Sequence, residues 1–150
     1  MLKTQKKKQD LGSFFLTMWC VAHRINIAMD SIIASLPEMK IWFSNLKSLC
    51  TYFQKYSKRK KLLHEKLPDA KEFAAYFEVR FAEHLSQVIN TVLHNLESCM
   101  EVWKCIQEGS DRLKRDQDEA RGFLTVWNQN GLQVFLTAII GDVCRIIVVL

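Results

Sequence analysis

A chain of 150 residues, 49% hydrophobic but with only 5 Gly and 2 Pro, has enough apolar material for one core and too few turn residues for a strand-rich fold. Its formal charge of +5 favours anionic partners such as nucleic acid. Five irregularly spaced cysteines (Cys20, Cys50, Cys99, Cys105, Cys144), with no secretory segment ahead of them, argue against a disulfide-stapled secreted domain. These bounds give an all-α protein, an irregular bundle of about five to six helices, nuclear or cytoplasmic and not secreted.

Residues 1–12, which include Lys3, Lys6, Lys7 and Lys8, read as a disordered basic leader, and 13–150 as a single helical domain. The run FFLTMW suits either a short orphan strand near 14–18 or the first turns of a helix, and periodicity does not separate the two. From Trp19 an apolar stripe of Cys20, Ala22, Ile25, Ile27, Ala28, Ile32 and Ile33 predicts a helix that Pro37 ends or restarts.

A second helix is predicted from Pro37 through IWFSNLKSLCTYFQKY, with Ile41, Trp42, Leu46, Leu49, Cys50 and Phe53 facing inward. Ser57 is placed to cap a short basic helix, KRKKLLHEKL, that stops near Pro68 and Asp69. Its Lys58, Arg59, Lys60 and Lys61 read as a solvated basic face with phosphate-binding potential. PDAKEFAAYFEV is a connector carrying aromatic anchors.

The longest element is RFAEHLSQVINTVLHNLESCMEVWKCIQEG, where Phe81, Leu85, Val88, Val92, Leu96, Cys99, Val102, Trp103 and Ile106 recur every three or four residues. Gly109 is a natural stop and Ser110 a cap for the helix that follows, whose Asp116, Asp118 and Glu119 read as exposed surface. NQNG precedes a final hydrophobic helix. Gln133, Asp142 and Arg145 make that helix a buried element rather than a membrane span, and its IIVVL end calls for a partner helix or a second copy. Trp19, Trp42, Trp103 and Trp127 fall one per helix, as core anchors do.

Cys20 and His23, three apart on a helix, could be a metal clamp, a catalytic pair or packing. Four ligands at zinc spacing are missing, since Cys99 and Cys105 are six apart and His23, His64, His84 and His94 are scattered. No orienting group or oxyanion site lies near Cys20. The sequence has no P-loop, GxGxxG, GxSxG or HExxH. Packing is therefore the favoured reading, and no enzyme activity, metal, cofactor or small-molecule substrate is expected.

Cys20-x-x-His23 followed by Asn26-Ile27-Ala28 resembles the C-x-x-H-x-x-N-L signature of the hAT superfamily of transposases. Downstream, YSKRKKLLHEKL resembles the family's aromatic, Ser and basic run. EVRFAEHLSQVINTVLHNL resembles its T-R-W-x-x-H segment and long helix, with Val79 and Phe81 in place of Thr and Trp. The resemblance implies the junction between an RNase-H-like core and a helical insertion domain. It implies DNA contact by Arg80 and Phe81, with His84 matching the family's His, and a structural role for Cys20, His23 and Asn26. The family's three catalytic acids flank these landmarks, and Asp10 is a poor substitute, so the implied fragment is catalytically inactive.

Overall fold

The computed structural model describes residues 27, 28, 30–32, 34–74, 81–109, 113–129 and 131–149. Every regular element among them is helical, as the composition predicts. The expected leader, the orphan strand near 14–18, and the motif residues Cys20, His23 and Asn26 lie outside the described residues. The chain divides into two compact units, Met1–Lys40 and Ile41–Leu150.

In the first unit, the described residues between 27 and 35 are helical, and the turn closes with the Leu36 N–H donating to the Ile32 carbonyl at 3.3 Å. Leu36 breaks the helix, as expected of a residue preceding proline.

Helix α1, Pro37–Lys55, starts on a proline whose fixed φ suits a first helical position. Trp42, Leu46, Leu49, Cys50 and Phe53 are buried as the spacing predicts, and Tyr52 joins them. Ile41 is a correction: it is 62% exposed, one step outside the stripe that Trp42 leads.

Helix α2 is Ser57–Lys66, and its N-cap is the extended residue Tyr56, not Ser57. The Tyr56 carbonyl accepts from the Arg59 and Lys60 N–H groups at 3.0 and 3.3 Å, and no side chain caps the turn. The helix stops at Leu67, just ahead of Pro68. The non-helical connector 67–74 follows and is strapped down along its length. Asn95, fully buried, accepts from the Lys71 N–H at 3.0 Å and donates to the Lys71 carbonyl at 2.7 Å. Gln54 donates to the Phe73 carbonyl at 2.7 Å, and the Phe73 ring stacks on Phe53 at 5.3 Å, so one of the expected aromatic anchors is in place.

Helix α3, Phe81–Glu108, is the central element. Leu85, Val88, Val92, Leu96, Cys99, Val102, Trp103 and Ile106 are buried, joined by Ile89. Helix α4, Lys114–Leu124, has Leu113 as its N-cap, so Ser110, outside the described residues, is not the cap. It runs into a π-helical turn, Thr125–Gln129, that carries the buried Trp127. Rings from three helices then meet: Trp103 stacks on Phe123 at 5.1 Å, and Tyr52 meets Phe123 edge-on at 4.8 Å.

Helix α5, Gly131–Val149, lies against α3 so closely that a Cβ on Gly141 would come within 2.8 Å of Ile89 Cγ2. A buried polar network ties it to α1. The Trp42 indole N–H donates to Thr137 Oγ1 at 2.9 Å, and the Thr137 hydroxyl donates to the Gln133 carbonyl at 2.7 Å. Gln133 Nε2 donates to the Trp42 carbonyl at 3.1 Å, and its Oε1 accepts from Asn45 at 3.1 Å. A polar network inside an apolar interface leaves its members unsatisfied if the helices slip, so this one sets register.

Candidate functional site

The basic helix α2 is the element that the sequence reading marks for function, and the structure splits it in two. Lys58, Lys60 and Lys61 are exposed, whereas Arg59 is 7% exposed. Its guanidinium lies 3.7 Å from the centroid of the Tyr52 ring and 4.4 Å from that of Tyr56, and it donates to Glu119 at 2.7 Å and Asp116 at 3.2 Å. This corrects one expectation. Arg59 is a packed, neutralised core cation rather than part of a solvated face, because two carboxylates and two rings replace its water. Asp116 and Glu119 keep the exposed position that the sequence reading gives them and serve there as its counter-ions.

On the outer face, Lys60 pairs with Glu72 at 2.5 Å, and His64 sits 3.3 Å from the same carboxylate. The bond from Lys60 leads in holding the Glu72 carboxyl below its ordinary value, with His64 adding to it and slight desolvation opposing. This group pins the connector to α2. Lys58 and Lys61 are left without an ion pair among the described residues.

Arg80 lies outside the described residues, Phe81 opens α3, and His84 is half-buried one turn on. Among the described residues no three His, Cys, Asp or Glu side chains gather in a way that could hold a metal. Burial pushes the Cys50 thiol up to about 12 and raises Cys99 and Cys144 as well, which makes them poor nucleophiles; Cys105 is exposed.

Of two further features, the first is not legible as a site in the sequence and the second only at its IIVVL end. A groove of about 480 Å³ opens where α1, α2, α3 and α4 converge, between Lys55, Tyr56, Lys58 and Arg59 on one side and Leu113 and Arg115 on the other. Its trace in the sequence, the aromatic Tyr56 among cations, reads as part of the basic run. The second is the outer face of α5, where Phe135, Ile139, Val143 and Ile146 are 60%, 41%, 41% and 63% exposed. Their spacing of four, four and three is that of an interhelical seam. Among the described residues no single helix is long and apolar enough to cross a membrane; α4 with its π turn and α5 meet that test only as a pair, bent by 64°.

No family model matches the chain, and neither a curated protein nor a solved structure gives a significant match.

Proposed function

We propose that this chain is a catalytically inactive helical module, derived from an hAT-type transposase, that associates with a second copy of itself through α5. The transposase origin is supported by the order of the three landmarks around Cys20, Ser57 and Arg80. The resemblance places the family's three catalytic acids outside those landmarks, so the residues between them are assigned no catalysis. The observation that carries the association is the exposed seam of Phe135, Ile139, Val143 and Ile146.

A second copy fits that seam in charge and in area. The charged residues of α5 are Asp142 and Arg145, which close on each other at 2.6 Å, so the face is neutral. Two copies of a chain of charge +5 can meet there with little repulsion, and a phosphate backbone or lipid headgroup finds no lysine on this helix. Phe135 to Ile146 spans about 16 Å of helix, and pairing two such faces covers on the order of 1,000 Å², the lower end for a specific interface. The dimer is therefore weak. Light scattering across a concentration series should show mass rising toward a dimer, and Phe135→Lys with Ile146→Lys should abolish the rise. A wild-type chain that stays monomeric at about 1 mM would sink the association.

A second reading, residual DNA binding, is favoured by the unpaired Lys58 and Lys61. It requires affinity that falls steeply with salt and drops when both lysines are changed to Gln. A gel shift without binding at low salt would remove it.

A further inference from the structure

The groove at Tyr56 holds unequal charge. Its two carboxylates, Asp116 and Glu119, are both committed to Arg59, at 3.2 and 2.7 Å. Lys58 and Arg115 line the same space with no ion pair among the described residues, and the Lys55 ammonium rests 5.3 Å from the Tyr56 ring centroid. Two cations without an ion pair, with Lys55 beside them on the ring, thus face a volume of about 480 Å³, within the range of small-molecule sites. The same space has a planar surface. Tyr56 is 43% exposed because the chain is extended there between two helices, and the buried Arg59 guanidinium holds its ring in place. Leu113, 74% exposed, supplies an apolar wall.

We propose that this groove binds a nucleoside phosphate, free or as a unit of a single strand, with the phosphate on Lys58 and Arg115 and the base against Tyr56 and Leu113. Cations take the phosphoryl oxygens, and an aromatic ring offers a stacking face to any base. Lys55 leaves the ring for the phosphate when the base arrives. The site goes beyond both functional readings: it does not use the α5 seam, and it shares Lys58 with the DNA-binding reading but not Lys61, so Lys61→Gln tells the two apart.

Titrating the full chain with AMP, adenosine, inorganic phosphate and octathymidylate, followed by amide NMR shifts, tests it. AMP should saturate and move the Tyr56, Lys58 and Arg115 amides, while adenosine and phosphate each bind at least about tenfold more weakly. Tyr56→Ala and Arg115→Gln should each weaken AMP at least about fivefold, and Tyr56→Phe should retain it. Octathymidylate binding about tenfold tighter than AMP assigns the site to a strand, and the reverse order to a free nucleotide. Arg115 is exposed on α4, so Arg115→Gln decides alone if Tyr56→Ala unfolds. The proposal is overturned if neither AMP nor the oligonucleotide saturates, if phosphate alone binds as tightly as AMP, or if binding follows Lys61→Gln instead of the groove variants.

Discussion

Helices α2 and α5 invert the usual relation between composition and burial. The first, SKRKKLLHEK, is nearly all charge, yet one of the two residues it buries is an arginine. The second is the most apolar of the described helices, yet it leaves Phe135 and Ile146 about three-fifths exposed and buries Gln133 and Thr137. What a residue meets decides its burial. Arg59 meets Tyr52, Asp116 and Glu119, which make the interior tolerable for a cation, and Gln133 meets Trp42 and Asn45. Phe135 and Ile146 meet no such partner among the described residues and remain on the surface.

The contrast breaks first at Arg59. Arg59→Ala should destabilise the fold by about 2–3 kcal/mol in chemical denaturation, below the full cost of a broken buried pair because Asp116 and Glu119 are 38% and 42% exposed and can rehydrate. A loss under about 0.5 kcal/mol would mean that Arg59 is a surface residue after all.

Next comes the inner face of α5. Gly141→Ala forces a methyl into Ile89 and should cost about 1–2 kcal/mol, whereas Gly122→Ala on α4, with open space at the Cβ, should gain up to about 1 kcal/mol. Melting curves of the two variants should move in opposite directions.

The outer face of α2 is worth less. Glu72 has its folded pKa lowered, so its contribution is present above its ordinary value of 4.5 and is lost as pH falls through the lowered one. Because the carboxylate is 61% exposed, the contribution is no more than about 0.5 kcal/mol. Wild type and Glu72→Gln should differ slightly at neutral pH and converge in acid; divergence in acid would reverse the sign.

Smallest is the outer face of α5. Phe135→Lys with Ile146→Lys should leave the stability of the dilute monomer within about 0.5 kcal/mol of wild type. A larger loss would place these side chains inside the monomer's own core.

Much of the fold was readable in advance because helical periodicity is local. The stripes Trp42 to Phe53 and Leu85 to Ile106, the start at Pro37 and the stop before Pro68 all follow from neighbours within a few residues. What was missed depends on distant contacts. Nothing in KRKK says that carboxylates 57 and 60 residues later will meet Arg59. Asn95 did leave a trace, a polar residue inside the apolar face between Val92 and Leu96, but its partner Lys71 lies 24 residues back on an irregular segment. Ser57 looked like a cap by residue type, yet the extended backbone falls one position earlier, at Tyr56. The groove, assembled from four helices, leaves only Tyr56 among its cations as a local trace in the sequence.

The bond between Trp42 and Thr137 joins residues 95 positions apart. A ribosome adding about 5–20 residues per second makes them roughly 5–20 s apart. Throughout that interval the nascent α1 has its polar partners unmade, and the face that Gln133 and Thr137 will cover stays open to chaperones. Docking of α5 is therefore a late step in maturation, and truncations that remove it should accumulate as aggregation-prone or proteolysed chains rather than as smaller folded ones.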